Sequence, residues 1–179
     1  MPDAGTASLN VRRAAGGEQF TADFERALFT DIGDGQTDLV LLSGSPSVGD
    51  AAGGPTVQQA VHVRVLWQPT RTIRVDSPSA GNAMVEWVVS AGDADRVVYA
   101  GSCWAKVNID GDEATVDLRE GDLTVRQRQG RVADPLQRAK LNGKFVAKRS
   151  DATVRAYVAD MDAAAKPRVT ALSAPAGSR

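Results

Sequence analysis

Cysteine and histidine are nearly missing from this chain of 179 residues, which contains one of each, Cys103 and His62. One cysteine excludes an internal disulfide, and the pair cannot supply the ligands of a zinc site. A cysteine–histidine nucleophile would have to use both residues. Alternation along the predicted strands places Cys103 on an apolar face and His62 on a polar face. We therefore predict a buried, inert Cys103 and a surface His62.

Motifs for other chemistry are missing as well. The chain has no Gly-x-Ser-x-Gly elbow and no phosphate-binding glycine loop, and its clusters of carboxylates fall on predicted turns. The stretch from Asn108 to Asp112 offers oxygen ligands, but its glycine stands at the wrong position for a calcium loop. We therefore predict no catalytic residue, no metal site and no cofactor, and we interpret the chain as a protein that is not an enzyme.

Long hydrophobic runs are also absent, so the sequence predicts no transmembrane segment. No apolar stretch follows a basic N-terminus in the manner of a signal peptide. A secreted protein whose leader peptide has been removed would have the same sequence. Two locations stay open: the cell envelope if a leader has been removed, and the cytoplasm otherwise.

The composition favours one folded domain. Hydrophobic residues make up 42% of the chain, and a chain of this length can bury one core. Residues 1–17 are rich in Ala, Gly and Arg, and residues 165–179 are rich in Pro, Ala and Ser, so we predict disorder at both ends. The predicted domain covers residues 18–164.

Alternation of apolar and polar residues is the clearest pattern in the chain. Residues 57–67 place four valines and a tryptophan on one face, and residues 83–89 repeat the alternation. Residues 37–43 and 97–109 are further predicted strands, whereas residues 18–30 fit either a strand or a helix.

The same alternation predicts the direction of several side chains. The residues expected to fill the core are Trp67, Trp87 and Phe145. If the strands at 57–67 and 83–89 are neighbours, one outer face holds His62, Arg64 and Glu86.

Three Xaa-Gly dipeptides predict tight turns, because glycine readily adopts positive φ. They are Asp110-Gly111, Glu120-Gly121 and Asn142-Gly143. A two-residue loop at the first dipeptide pairs Ile109 with Asp112, and one at the second pairs Leu118 with Leu123. A three-residue loop over 141–143 pairs Ala139 with Phe145 and keeps Phe145 on the apolar face.

The pattern changes after Ser150, which is a candidate helix N-cap. Apolar residues then recur at helical spacing, at Val154, Tyr157, Val158 and Met161. We predict a helix over about 151–164 that covers an open end or an edge of the sheet. The fold class is therefore mainly β: an antiparallel meander of about eight or nine strands, as a barrel or a sandwich, with one C-terminal α-helix.

Charge is distributed unevenly along the chain. Residues 119–149 contain nine Lys or Arg and three Asp or Glu, whereas the rest of the chain contains 12 and 19. Alternation places six of the cations on one outer face: Arg126, Arg128, Arg138, Lys140, Lys144 and Lys148. This basic face predicts an anion-binding surface, and the alternative is a solvated face paired with acidic residues. It has no aromatic residues for base stacking, so a nucleic acid is not the expected partner.

Several stretches resemble uncharacterised β-rich lipoprotein-like proteins of planctomycete-type bacteria. They are His62-Val-Arg64-Val-Leu-Trp67-Gln-Pro69, Ser79-Ala-Gly-Asn82-Ala83, Glu86-Trp87, Tyr99-Ala-Gly101 and Ala139-Lys-Leu141-Asn-Gly143-Lys-Phe145-Val-Ala147. The resemblance spans most of the predicted domain. It implies an envelope location and a leader peptide, and it implies no activity or site.

Two functions are compatible with these patterns. The first is a non-catalytic β-domain that acts as a structural or interaction module, with an anionic envelope component or another protein as its partner. The alternative is a calycin-like barrel that binds a small ligand in its interior. A lined interior cavity favours the second function, and a filled interior favours the first.

Overall fold

The computed structural model describes residues 5–43, 57–69, 81–91, 95–131 and 136–165. These residues form eight β-strands followed by one α-helix. The elements are β1 Gly5–Arg13, β2 Gln19–Gly33, β3 Gln36–Leu42, β4 Val57–Val65, β5 Ala83–Ala91, β6 Asp95–Asp110, β7 Glu113–Gln129, β8 Ala139–Arg149 and α1 Asp151–Ala165.

The strands follow one another around a closed antiparallel barrel, in which β8 returns to pair with β1. A short parallel contact also joins β2 to β8. This arrangement confirms the predicted antiparallel meander and decides for a barrel over a sandwich. Closure gives every strand two hydrogen-bonded neighbours, which removes the exposed edges of an open sheet.

The strand β1 corrects the prediction of a disordered arm over residues 1–17. Ala7, Leu9 and Val11 are buried and alternate with exposed polar residues, as in a strand with one face on the core. β1 pairs with β2 on one side and with β8 on the other. The barrel therefore closes through a segment that composition alone marks as unstructured.

The region predicted as either strand or helix is the long strand β2. Opposite Gly5 and Ala7 the register shifts by one residue, and the inward face changes between Phe24 and Ala27. Such a bulge re-aims the side chains that follow it. As a result Leu28 points to the outside of the barrel, although strict alternation from Phe24 places it inside.

The hairpin between β6 and β7 forms at the predicted place with a different register. Asp110 pairs with Glu113 and Ile109 with Ala114, so the two-residue loop is Gly111-Asp112. Gly111 has φ +58°, which suits the first position of such a loop. The expected pairing of Ile109 with Asp112 is wrong by two residues, and a shift of two leaves the inward face unchanged.

The other two predicted turns are wrong, because Glu120-Gly121 lies within β7 and Asn142-Gly143 lies within β8. A Cβ atom on Gly121 would lie 2.5 Å from Leu141 Cγ, and one on Gly143 would lie 2.5 Å from Leu9 Cδ2. These glycines leave room for close approach between strands inside the barrel.

The barrel interior is filled with large side chains between smaller ones. Trp87 and Tyr99 are fully buried, and the Trp87 ring meets Phe24 edge-on with 5.6 Å between ring centroids. The inward positions predicted for Trp87 and Phe145 are confirmed. Trp67 is 41% exposed, so its predicted burial is wrong; its ring contacts Trp104 instead.

The helix α1 begins after Ser150, whose carbonyl accepts the first helical hydrogen bond from the Val154 amide at 2.9 Å. It packs on the outer face of β2 and β3, where Val154 and Val158 contact Leu28, Val40 and Leu42. The helix thus covers the side of the barrel, and the prediction that it covers an open end or edge is wrong. The outward turn of Leu28 after the β2 bulge supplies part of this contact.

Replacing Phe145 with Ala should lower the free energy of unfolding by about 3–5 kcal/mol, because it removes a buried ring and leaves a cavity. Chemical denaturation followed by tryptophan fluorescence measures the loss. The matched control is Val146→Ala, because Val146 is 39% exposed on the other face of β8. The control should change stability by about 0.5 kcal/mol or less. Equal losses for the two variants would contradict the facing of β8.

Candidate functional site

The six residues of the predicted basic face have carboxylate partners or other contacts close by. The ion pairs join Arg126 to Glu86, Arg138 to Asp122, Lys140 to Glu120, Lys144 to Asp117 and Lys148 to Glu113. Arg128 is engaged as well. Five of the six residues therefore lie beside carboxylates that offset their charge. Arg128 lies opposite the core residue Val97, after a register shift between β6 and β7, so the prediction that all six share one outer face is wrong for this residue.

Strand register explains this balance. Glu113 lies opposite Lys148, Asp117 opposite Lys144 and Asp122 opposite Lys140 on the β7–β8 pair. Opposite charges directly across two strands attract, although each exposed pair contributes only about 0–1 kcal/mol. The hydrogen bond from Arg138 holds the pKa of Asp122 below its usual value. Anion binding by the six residues together stays a prediction. Most of their charges are offset by ion pairs with acidic side chains.

Two adjoining open depressions lie on the outer face where β1, β2 and β8 meet β7. Their volumes are about 450 Å³ and 600 Å³, and they share Asn10, Glu120 and Asn142. We name the pair of depressions the outer groove. Its polar lining is Ser8, Asn10, Arg12, Gln19, Thr21, Asp117, Arg119, Glu120, Lys140, Asn142 and Lys144.

A bulge in β7 shapes the middle of the outer groove. Register shifts against both β6 and β8 leave one extra residue between Leu118 and Gly121. Glu120 takes up this residue with φ +51°, a conformation that side-chain-bearing residues adopt rarely. Its backbone N–H donates to Asn142 Oδ1 at 2.9 Å. The bulge is thus fixed by an amide on β8, and Glu120 projects from the surface.

Hydrogen bonds continue across β1. Asn10 lies opposite Thr21 on β2 and opposite Asn142 on β8. The Thr21 hydroxyl donates to Asn10 Oδ1 at 3.3 Å. Four polar groups on four adjacent strands therefore form one row across the groove.

One end of the outer groove carries two neighbouring cations. Arg12 on β1 lies directly opposite Lys140 on β8, and both side chains are exposed. The Lys140 ammonium is 3.9 Å from a Glu120 carboxylate oxygen. The Arg12 side chain forms no hydrogen bond or ion pair with the part of the chain that the structure describes.

A second polar cluster lies beside α1. Asp38 Oδ1 accepts hydrogen bonds from His62 Nε2 and from Arg64 Nε, each at 2.9 Å. His62 also lies opposite Glu86, which confirms the predicted outer face of His62, Arg64 and Glu86. However, His62 is 7% exposed, so the prediction of a surface histidine is wrong. Val40, which lies opposite His62 on β3, packs against α1, so the helix lies over this part of the outer face. Alternation in the sequence does not predict that a helix covers His62.

The ionisation of Asp38 reflects these contacts. Burial alone raises the pKa of Asp38, but the hydrogen bonds and charges of His62 and Arg64 outweigh burial and lower it below its ordinary value. The cluster is a hydrogen-bond network with a structural role, in which the Asp38 carboxylate accepts hydrogen bonds from two side chains of β4, His62 and Arg64.

Cys103 is buried inside the barrel, as predicted, with 1% of its surface exposed. Burial raises the pKa of its thiol to about 12. A nucleophilic cysteine needs an accessible thiolate. Cys103 is therefore a small core residue, on the opposite side of the sheet wall from His62.

The barrel interior contains two polar groups on large aromatic residues. The Tyr99 hydroxyl accepts a hydrogen bond from the Leu136 amide at 3.3 Å. The Trp87 indole nitrogen is buried and has no hydrogen-bond partner among the described residues. A buried donor without a partner is costly, so a hydrogen-bond acceptor placed beside the Trp87 indole nitrogen would be stabilising.

Comparison with known proteins gives no relative for this chain. No family model matches it, and no curated protein or solved structure matches it. The resemblance to lipoprotein-like proteins therefore stays a prediction. Within the described ranges, no group of three or more His, Cys, Asp or Glu side chains is placed to hold a metal ion. No helix of the described part is both long and apolar enough to cross a membrane.

Sequence reasoning missed most of the outer groove. Asn10 and Arg12 fell in the predicted disordered arm, and Asn142 fell in a predicted turn. The alternation of Ala7, Leu9 and Val11 with polar residues is a strand signal that identifies β1. The pairing of β1 with β8 could not be predicted, because no local sequence pattern shows which strands are neighbours.

Labelling of Cys103 with a maleimide at pH 8 should be slow in the native protein and fast after denaturation, because the buried thiol with a raised pKa forms little thiolate. Mass spectrometry follows the reaction. The control is a Cys103→Ala protein carrying Thr124→Cys, because Thr124 is exposed on β7. Native labelling of Cys103 at the rate of the control would contradict its burial.

Acid should destabilise this protein partly through Asp38. Folding lowers the pKa of Asp38, so as the pH falls the unfolded state takes up a proton at a higher pH than the folded state does. The stability that Asp38 supplies is therefore complete above pH about 4 and is lost as the pH falls through the pKa of the folded state. Asp38→Asn should be less stable at pH 7 by about 1–3 kcal/mol, with a flatter acid profile. Urea denaturation at several pH values measures both effects. Asp160→Asn, on the exposed side of α1, should keep the wild-type profile.

Proposed function

We propose that this chain is a non-catalytic β-barrel that acts as a binding module through the outer surface of the barrel. One observation carries the proposal: the interior is occupied by the chain's own side chains, whereas the polar depressions lie outside. Trp87, Tyr99, Leu123 and Leu141 are fully buried. A barrel of eight strands has room for side chains or for one small ligand, and in the part of the chain that the structure describes buried side chains occupy that room.

The positions of the reactive side chains support a non-catalytic role. Cys103 is enclosed in the core, and both Arg64 and His62 are held by Asp38 beside α1. These contacts give each residue a structural task. A binding module needs no activated nucleophile, so the proposal accounts for their placement.

The proposed partner is an anionic component of the cell envelope, which keeps the interpretation drawn from the sequence. Lys140 and Lys144, two of the predicted anion-binding residues, line the outer groove. Their charges are partly offset by Glu120 and Asp117, so long-range attraction alone is a weak basis for specificity. Hydrogen bonding within the groove is the stronger basis.

A second candidate function is the calycin-like carrier. The observation that favours it is the buried indole N–H of Trp87, which has no partner among the described residues. A small apolar ligand with one acceptor oxygen would satisfy that donor. Such a ligand would also have to displace or rearrange the side chains that surround Trp87.

Titration with cis-parinaric acid, a fluorescent apolar ligand, separates the two functions. Outer-surface binding predicts no saturable signal at micromolar concentration, because the described inward side chains already pack against one another in the interior. Saturable one-to-one binding that quenches tryptophan fluorescence and is weakened by Trp87→Phe would overturn the proposal in favour of the carrier. Val146→Ala is the control for a change outside the barrel.

A further inference from the structure

The outer groove presents hydrogen-bond donors on rigid strands. Asn142 Oδ1 accepts a hydrogen bond from the backbone N–H of Glu120, and Asn10 Oδ1 accepts a hydrogen bond from the Thr21 hydroxyl. With both amide oxygens engaged, the side-chain NH2 groups of Asn10 and Asn142 are left as donors. Neither NH2 group has a partner among the residues that the structure describes. Oxygen atoms of a ligand are suitable acceptors for this pair.

The charged end of the groove favours a negative group. Arg12 and Lys140 lie directly opposite each other, and like charges in such a pair repel. Lys140 is offset by Glu120 at 3.9 Å and by Asp122 directly opposite it on β7, whereas Arg12 has no ion-pair partner in the described ranges. A carboxylate held between Arg12 and Lys140 would relieve this repulsion and accept charge-assisted hydrogen bonds.

Glu120 provides the complementary acceptor. Glu120 lines both depressions, and its backbone adopts φ +51° in the bulge, a kind of strain that is frequent at binding sites. Cations, amides and a carboxylate in one groove match a ligand that carries both acidic groups and hydroxyls. A simple polyanion has no hydroxyl donors for Glu120 and would meet its repulsion.

The groove also has the length of a short oligomer. Lys140 and Lys144 mark its ends on β8, and four residues of a strand span about 14 Å. Near the far end the Lys144 ammonium is 3.6 Å from Asp117, so the charge there is partly offset. The unpaired cation Arg12 distinguishes one end from the other, which gives a bound chain a direction.

We propose that the outer groove binds an acidic oligosaccharide, with a carboxylate between Arg12 and Lys140. The NH2 groups of Asn10 and Asn142 donate to oxygen atoms of the sugar, and Glu120 accepts from its hydroxyls. This inference rests on the proposed function, since it names the ligand class for an outer-surface binding module.

Calorimetric titration with trigalacturonate tests the ligand class. Saturable binding is expected, and the fully methyl-esterified trisaccharide, which keeps the hydroxyls and loses the charge, should bind at least about tenfold more weakly. Triglutamate, which carries carboxylates without sugar hydroxyls, should also bind at least about tenfold more weakly than trigalacturonate. Equal affinity for either comparison compound would overturn the proposal.

The variant Arg12→Gln locates the site, because Arg12 is exposed and its replacement breaks no described ion pair. It should bind trigalacturonate about tenfold more weakly, with an unchanged melting temperature. The matched control is Arg155→Gln, on the exposed side of α1, which should bind like the wild type. Equal losses in the two variants would overturn the assignment of the site.

The two proposals fail in different ways. Absence of trigalacturonate binding together with absence of cis-parinaric acid binding overturns the acidic oligosaccharide and leaves the outer-surface module in place. Saturable cis-parinaric acid binding of the kind described above overturns the module itself.

Discussion

The pairing of β1 with β8 is the contact on which the rest of this structure depends. It joins the first described strand to the last, from Leu9 opposite Gly143 to Arg13 opposite Ala139. Leu9 lies across Gly143, where a Cβ atom would collide with its side chain. Because a closed barrel leaves no strand edge to be satisfied by solvent, this single junction turns a meander into an enclosed core. It also brings Asn10 and Arg12 beside Asn142 and Lys140.

The register of the barrel produces its surface as well as its core. Acidic residues on β7 face basic residues on β8, although the cations outnumber the acids over residues 119–149. The bulge at Glu120 interrupts this regular pairing and opens space on the outer face. The proposed binding at the outer groove therefore depends more on this local geometry than on net charge.

The outer face near α1 shows how one irregularity shapes another region. The bulge in β2 turns Leu28 outward, and Leu28 then joins Val40 and Leu42 to form a hydrophobic surface for the helix. The Thr30 hydroxyl donates to Asp151 at the start of α1, at 2.7 Å. Polar groups beside this contact, including Asp38 and His62, are hydrogen-bonded to each other, as most buried polar groups in proteins are.

Local pattern in the sequence determined the type of most elements: period-two alternation for the strands, helical spacing after Ser150, and burial of Cys103 and Trp87. It did not determine which residues turn the chain. Glycine after Asp, Glu or Asn serves a turn at Gly111 and close strand packing at Gly121 and Gly143, and these uses have the same local sequence.

Only the tertiary structure decided barrel closure, the ion pairs of the basic face, the cover over His62 and the assembly of the outer groove. Each joins residues distant in the chain, and alternation fixes the side of a strand without fixing its neighbour.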